Sequence, residues 1–399
     1  MRKRLARLLV GLAGAAALLA LAGFGISRTP GFGAVPTGER QARIEASPQW
    51  RDGRLRNPQP QWLDLRSALE DAVFADGSAE AVPLQPVAAV KTDPAALAEP
   101  PASGLRITWF GHSSTLVEID GVRVLVDPFW GERASPLGFL GPKPWFAPPI
   151  ALDELPAIDA VVISHDHFDH LDRATVQAMR AWPTRFLVPL GVGAHLQHWG
   201  IAAERIRELD WWQSADIGGL DIVATPARHA SGRRSSNSNL TLWSGYALIG
   251  KAHRVWYSGD SSFHEGLKAI GERLGPFDVS LMDSGQYNEH WTDAHFGPEL
   301  AVRAHQLVRA RRLIPVHWAL MSLAPHAWTE PVERTLRAAA CQNAEVLVLR
   351  PGQPTEPAAV AGAGERWWPR TDWKTAADAP ILSTRNGDAD DRYPPAACG

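Results

Sequence analysis

The segment His165–His170 reads His-Asp-His-Phe-Asp-His and holds the densest group of metal-binding side chains in the sequence. It directly follows the apolar run Ile158–Ile163 and Ser164, a pattern typical of a buried strand that ends in a loop. Imidazole nitrogens and carboxylate oxygens are ligands that zinc accepts. One zinc would not need four such groups from a single loop, because other parts of the chain must also close the site. The spacing therefore indicates two metal ions side by side.

Three further candidate ligands stand near the ends of other strand-like runs. His229, Asp260 and His317 each come shortly after an apolar stretch. One such histidine alone is more often a hydrogen-bonded structural residue. Together with the loop, the three residues indicate that one edge of a sheet carries seven ligands, namely His165, His167, Asp169, His170, His229, Asp260 and His317.

Other polar residues in similar positions have less defined roles. Asp127 and His112 close strand-like runs and could orient metal ligands, or could equally serve the turns in which they lie. Asp166 lies between two ligands, and we expect it to support the loop rather than to bind metal.

The ligand pattern and several further motifs resemble one known group of proteins. The chain is similar to metallo-β-lactamase-fold hydrolases, and within them to the N-acyl-phosphatidylethanolamine-hydrolysing phospholipase D group and its bacterial relatives. The resemblance runs from about Arg54 to about Glu333. Besides the metal loop, the motifs that carry it are Arg56-Asn57-Pro58, Trp109-Phe110-Gly111-His112-Ser113, Asp127-Pro128, Arg133-Ala134-Ser135-Pro136, Gly141-Pro142-Lys143, Gly259-Asp260, Gly275-Pro276-Phe277-Asp278 and Val316-His317-Trp318.

The resemblance implies a four-layer αββα sandwich of the α/β (α+β) class and a role for each matching residue. His165, His167 and His229 would hold one Zn²⁺, while Asp169, His170 and His317 would hold a second. Asp260 would bridge the two ions, although iron or manganese is accepted by similar ligand sets. A hydroxide bridging two zinc ions is a strong nucleophile near neutral pH. His295 would steady the scissile phosphate or protonate the leaving group, so the implied catalytic residues are Asp260, His295 and Asp169.

The sequence is compatible with three functions. The first is a two-zinc phosphodiesterase of phospholipase D type, acting on N-acyl-phosphatidylethanolamine or a related phospholipid. The second is a two-zinc lactonase or a hydrolase of a small phosphorylated metabolite, because the same hydroxide can attack a carbonyl carbon. The third is a non-catalytic, zinc-binding envelope protein. A hydrophobic groove would favour a lipid, and a small polar pocket would favour a metabolite. The segment Gln286–Asn288 is a candidate for lining that pocket.

Length and composition set the broader limits. The chain has 399 residues with 45% apolar content, enough for a large core, and we expect one catalytic domain. The net charge is −3 and no basic block exists outside the N-terminus, which disfavours nucleic acid as a partner. The 17 tryptophans could pack the core and loops, or could grip acyl chains or a membrane interface where they are exposed; those near the motifs include Trp130, Trp145, Trp211 and Trp212. Cys341 and Cys398 lie far from the metal motifs, and zinc ligation by cysteine is not expected.

The N-terminus reads as a separate unit. Arg2, Lys3, Arg4 and Arg7 precede the uncharged stretch Leu8–Ile26, which is intermediate in length between a signal-peptide core and a membrane span. We expect residues 1–27 to form a signal peptide or an inner-membrane anchor, with the remainder exported to the periplasm. The other expected divisions are a linker and N-terminal extension (28–103), the catalytic domain (104–345) and a loosely packed tail (346–399). The oligomeric state is not predicted.

The ligands must be positioned by strands and helices that the pattern also predicts. Strands are expected over Arg106–Phe110, Thr115–Ile119 and Val122–Val126, with a hairpin turn at Asp120-Gly121. A long loop from Pro128 to Pro149 follows and could overhang the site. Further strands are expected at 185–188, 241–249 and 254–258, and helices at 173–182, 263–274, 298–309 and 330–339.

Overall fold

Two β-sheets carry the site, and the computed structural model describes them within residues 25, 28–74 and 80–395. One sheet has six strands in the order β3-β4-β5-β6-β7-β8, and the other has seven in the order β15-β14-β13-β12-β11-β10-β9. A short hairpin of β1 and β2 lies apart. The strands are β1 Trp50–Arg51, β2 Arg54–Leu55, β3 Leu105–Gly111, β4 Ser114–Ile119, β5 Val122–Val126, β6 Ala160–Val162, β7 Arg185–Pro189, β8 Ile206–Leu209, β9 Ser214–Ile217, β10 Leu220–Thr225, β11 Gly245–Ile249, β12 Arg254–Tyr257, β13 Phe277–Asp283, β14 Ala310–Val316 and β15 Glu345–Val346.

Helices cover the outer faces of both sheets. The helices are α1 Gly38–Glu45, α2 Leu65–Phe74, α3 Pro94–Ala98, α4 Arg173–Ala178, α5 Gly193–His198, α6 Gly266–Leu274, α7 Pro298–Leu307 and α8 Glu330–Gln342. Alternation along β4 shows how the layers form: Val117 and Ile119 join the core between the sheets, whereas Leu116 faces the cluster that includes Val176 of α4. The fold is therefore the predicted αββα sandwich of the metallo-β-lactamase type.

The two sheets repeat one topology. In each, antiparallel strands lead into parallel ones: β3 to β5 and then β6 to β8, and β9 to β12 and then β13 to β15. The carboxyl ends of the parallel strands meet at a common edge, as ligand binding in α/β folds requires. This edge is where the chain leaves each sheet toward the predicted ligands.

The sequence-predicted elements are largely confirmed. The strand predicted at 122–126 has the predicted bounds, and the helix predicted at 298–309 begins at Pro298 and ends at Leu307. The helix predicted at 263–274 begins later, at Gly266, and the strand predicted from 241 begins at Gly245. Boundaries shifted because the residues before these starts hydrogen-bond to other loops instead of continuing the element.

Two flanking regions contain more packed structure than their composition indicates. The expected linker after residue 27 contains α1, whose Ile44 is buried and whose Arg40 and Arg43 both pair with buried Glu208. The tail, expected to be loosely packed, buries Trp367 and many other side chains in the described residues up to 395. Its Pro- and Ala-rich composition hides this packing, because a few aromatic anchors with irregular spacing produce no periodic pattern.

The predicted N-terminal signal or anchor falls on residues 1–27, of which only Gly25 is described. Within the part of the chain that the structure describes, no helix combines the length and apolar character needed to cross a bilayer. Cys398 also lies outside the described residues, and Cys341 is disulfide-bonded.

Candidate metal centre

All seven predicted ligands lie together at the common edge of the two sheets. His165, His167 and His229 form one group, while Asp169, His170 and His317 belong to another. The metal loop follows β6, His317 follows β14, and Asp260 follows β12. The separate ends of three strands therefore converge on one point, as the sequence predicted.

The second group has the dimensions of a tetrahedral site. His170 Nε2 and His317 Nε2 lie 3.2 and 3.4 Å from Asp169 Oδ2, and 3.1 and 3.2 Å from Asp260 Oδ2. Ligand atoms held tetrahedrally by metal bonds of about 2.0–2.1 Å are about 3.3 Å apart. These four distances are close to the spacing around a zinc-sized cation.

The first group is similar and shares an atom with the second. His167 Nδ1 lies 2.8 Å from His165 Nε2 and 3.3 Å from His229 Nε2. Asp260 Oδ2 lies 3.8 Å from both of those Nε2 atoms. The same carboxylate oxygen thus stands between both groups, in the position of a bridging ligand. Whether each residue binds metal stays a prediction.

The charge balance of the site also favours a cation. Burial and the neighbouring imidazoles hold the pKa of His165 well below its usual range, so this ring is in its neutral, ligating form. Burial alone would lower the pKa of His317, but Asp260 and Asp283 outweigh it and raise that pKa to about 10. The buried carboxylates of Asp260 and Asp283 carry negative charge that a divalent ion would offset. His170 Nε2 and Asp260 Oδ1 are buried without a hydrogen-bond partner, as expected of groups that await an ion.

Neighbouring residues fix the ligand rings. His170 Nδ1 donates to Asp127 Oδ2 at 2.7 Å, and His229 Nδ1 donates to the carbonyl of Ala294 at 2.9 Å. Such bonds set the tautomer that leaves the other nitrogen for the metal. Asp127 therefore lies where an orienting partner of His170 would be, and its role stays a prediction with that of His170.

Asp166 supports the loop, as expected. Its carboxylate accepts from the backbone N–H of Gly232 at 2.6 Å and from Thr241 Oγ1 at 2.9 Å, and it contacts His195 Nε2 at 3.1 Å. These bonds tie the metal loop to the segments before β11 and to α5. Both carboxylate oxygens of Asp166 are thus engaged in hydrogen bonds.

The side chain of His112 contacts a predicted metal ligand directly. Its Nε2 lies 2.8 Å from Asp169 Oδ2, so it either orients that carboxylate or joins the second metal group. Its backbone N–H donates to Trp318 O, and its own carbonyl accepts from His317 N. His112, Asp127 and His317 have φ of 50°, 37° and 65°, a left-handed conformation that non-glycine residues rarely adopt and that is found at functional sites.

His295 lies beside the centre, where the resemblance implied it. Its Nδ1 is 2.8 Å from Asp283 Oδ2 and 3.9 Å from Asp260 Oδ2, and its ring packs 4.8 Å from that of His317. It is 12% exposed, so a substrate could reach it. Its role in catalysis stays a prediction.

The sequence reasoning passed over Asp283. This residue ends β13; its Oδ2 accepts from His295 Nδ1, and its Oδ1 lies 3.2 Å from His317 Nδ1. The signal was present, because Asp283 closes an apolar strand in the same way as the recognised ligands. It was missed because the candidate segment was sought after the strand instead of at its last residue.

A groove with a volume of about 950 Å³ is lined in part by Tyr287, Asn288, Glu289 and Trp291, a few residues before His295 in the chain. Among the described residues, its lining includes none of the seven predicted ligands and not His295. Tyr287 and Asn288 line this groove, whereas Gln286 is buried and accepts from Leu323 N at 2.8 Å. Whether they line a substrate pocket stays a prediction. The lining contains both apolar and charged side chains, among them Leu323, Trp373, Ile381, Glu289 and Lys374.

The tryptophans near the motifs mainly pack loops. Trp211 is buried and donates to Trp243 O, while Trp130 Nε1 donates to Ile150 O. Trp145 packs edge-to-face on Trp328 at 5.8 Å. The packing interpretation is confirmed for these residues.

Comparison with known proteins supports this picture. The model of the family described as "Beta-lactamase superfamily domain" matches residues 122–318. An uncharacterized protein of Mycobacterium tuberculosis is 45% identical over 327 residues, covering 79% of this chain and 86% of that protein. A UPF0173 metal-dependent hydrolase of Methanopyrus kandleri is 30% identical over 63% of this chain and its own full length.

A relative with a named activity covers less of either chain. The N-acyl-phosphatidylethanolamine-hydrolyzing phospholipase D 1 of Caenorhabditis elegans is 40% identical over 54% of this chain and 64% of its own. Among solved structures, an isothiocyanate hydrolase from Delia radicum gut bacteria superimposes with a TM-score of 0.50 at 20% identity, covering 63% of this chain and 98% of its own. That likeness concerns the fold alone.

Proposed function

This chain belongs to the beta-lactamase superfamily and is a metal-dependent hydrolase, and on that premise we propose that it hydrolyses a phosphodiester bond of a phospholipid. N-acyl-phosphatidylethanolamine is the first candidate substrate, because the chain is 40% identical to a phospholipase D of that specificity over the region that both share. The observation that carries the proposal is the pair of ligand groups that meet at Asp260 Oδ2.

The donor set suits two zinc ions, with iron or manganese as the alternatives. Five imidazoles and two carboxylates would hold the two ions. The carboxylate of Asp260 would bind both ions. Two such ions would lower the pKa of a bound water toward neutrality and offset the negative charge of a phosphodiester.

The surrounding residues have their own tasks. Asp283 accepts from Nδ1 of His295, so Nε2 is the nitrogen left to face a substrate; from the imidazolium form, Nε2 would donate to a phosphoryl oxygen or to the departing oxygen. The groove offers apolar surface from Leu323 and Ile381 and enough volume for part of an acyl chain. This groove supports a lipid substrate over a small polar metabolite.

We place the protein at a membrane through residues 1–27, as a periplasm-facing inner-membrane anchor or as a cleaved signal. The proposal is supported by the uncharged stretch Leu8–Ile26 and the basic residues before it. Cell fractionation of the full chain would test it, since an anchor requires recovery in the membrane fraction after a high-salt wash.

Lipid hydrolysis by the zinc-loaded full chain tests the activity. The substrate is N-acyl-phosphatidylethanolamine in mixed micelles, and mass spectrometry identifies the products. We expect phosphatidic acid and an N-acylethanolamine from the wild type, none from Asp260→Asn, and wild-type amounts from Asp221→Asn, a matched carboxylate change on β10. Absence of these products with two metal ions bound would refute the phospholipase proposal and would direct the search to lactones and small phosphodiesters.

A further inference from the structure

The long loop after β5 carries an apolar tip on a firmly held base. Phe139 and Leu140 are 77% and 61% exposed. At the base, Ala134 N donates to Pro142 O at 3.0 Å, and Arg133 Nη1 donates to Gly141 O at 2.7 Å. These two hydrogen bonds close the base of the loop, and the exposed tip extends from this ordered base.

The base of this loop packs against the metal loop. Phe129 and Ala134 share a buried cluster with Leu320 and Met321, and Phe168 of the metal loop packs onto that cluster. The base of the loop therefore packs on the residue beside Asp169, and the tip projects from that base.

The long loop also reaches the groove. Pro142, two residues after Leu140, lines the groove, and so does Ala68 of α2. Leu65, nearly one helical turn before Ala68, is 73% exposed. Because residues three apart in a helix share a face, apolar side chains extend outward from two sides of the groove. Large exposed apolar groups clustered around an opening mark a surface of interaction.

The chain also enters the described domain at this loop. Gly31 packs so closely on Pro136 that an added Cβ would lie 2.5 Å from the Pro136 carbonyl oxygen. The Arg233 guanidinium donates to Gly31 O, and Trp199 Nε1 donates to Pro30 O at 2.8 Å. The uncharged stretch Leu8–Ile26 thus precedes, by only a few residues, a segment held against the loop with the exposed tip. The exposed apolar tip and the nearby uncharged stretch both suit a lipid surface as the partner.

We infer that Phe139, Leu140 and Leu65 form a lipid-docking surface that seats the mouth of the groove on a bilayer. A lipid could then pass from the bilayer into the groove without crossing water. Exposed Lys143, close to the tip in sequence, is suited to the phosphate of a headgroup. The inference deepens the proposed function and rests on it for its purpose, but the docking itself can be measured without turnover.

The test uses the full chain reconstituted in vesicles of phosphatidylcholine and phosphatidylglycerol. Leu140→Cys receives an environment-sensitive fluorophore, and Ala252→Cys, in the exposed turn between β11 and β12 away from the metal edge, is the matched control. The described cysteine, Cys341, is disulfide-bonded and does not compete for the label. Nitroxide-bearing lipids should quench the label at 140 but not at 252.

Other outcomes overturn the inference. A label at 140 that emits as in water, or equal quenching at both positions, shows that the tip does not dock on lipid. A label shielded from water but not quenched by lipid nitroxides shows contact with protein, such as a second copy of the chain. These results are independent of activity, so a failed phospholipase assay leaves the docking result standing.

A kinetic comparison adds a second readout. Phe139→Ser with Leu140→Ser should lower the turnover of substrate in vesicles at least tenfold relative to the turnover of a monomeric short-chain substrate. A ratio equal to that of the wild type would overturn the role of the tip. Circular dichroism of the double variant checks that its fold is intact.

Discussion

Replacing Asp127 with asparagine should weaken metal binding while leaving every direct ligand in place. Asp127 is fully buried, and its Oδ2 accepts from His170 Nδ1 at 2.7 Å and from Tyr257 Oη at 2.6 Å. Its Oδ1 accepts from Ser164 N at 2.7 Å. The carboxylate thus receives donors on both oxygens, whereas an amide has only one oxygen.

The expected loss of metal affinity depends on which hydrogen-bond donors around Asp127 can reorient. Ser164 N cannot turn, so the amide oxygen must face it and the NH₂ group must face His170 Nδ1. For Nε2 of His170 to bind a metal, Nδ1 must carry hydrogen, and two donors then oppose each other. Loss of such an outer partner costs about 10–100-fold in metal affinity, or about 1.4–2.7 kcal/mol. The unsatisfied N–H should also cost about 1–3 kcal/mol of folding stability.

Competition with a chromophoric chelator measures the affinity of the second bound zinc, and urea unfolding of the zinc-loaded protein measures the stability. Asp159→Asn, at an exposed carboxylate just before β6, is the control and should change neither quantity. An affinity within about twofold of the wild type, below the range given for outer ligand partners, would refute the role assigned to Asp127.

Three further outcomes are expected. His295→Ala should lower kcat by about 10²–10⁴-fold with two metals still bound, and metal loss on elemental analysis would instead make it a ligand. Thr384→Val removes a buried donor to Asp293 and should cost about 1–3 kcal/mol in urea unfolding; unchanged stability would contradict the anchoring of the tail. Partial burial opposes the shift, but bonds from the His253 ring and nearby backbone N–H groups lower the pKa of Asp120. Its stabilisation should therefore be present above about pH 4, the pKa of an unfolded aspartate, and be lost as the pH falls through the lower folded pKa, so Asp120→Asn should flatten acid unfolding curves.

The chemistry of the centre was predictable from the sequence because few residue types bind zinc and because strand ends converge in a sandwich. The metal loop, His229, Asp260 and His317 each stand close after an apolar strand, and those strands have a short, recognisable pattern. The hairpin at Asp120 follows from its turn residues in the same way. Such features depend on neighbours in the chain, and a sequence displays them directly.

Contacts between distant segments were decided only by the tertiary structure. The sequence does not display that Asp260 Oδ2 lies between both ligand groups, or that Asp283 lies against His295 and His317. Burial of Trp367 and the packing of Gly31 on Pro136 are equally invisible in composition. These contacts join residues far apart in sequence, and their geometry is set by how two sheets and their loops pack, which no local pattern of residues specifies.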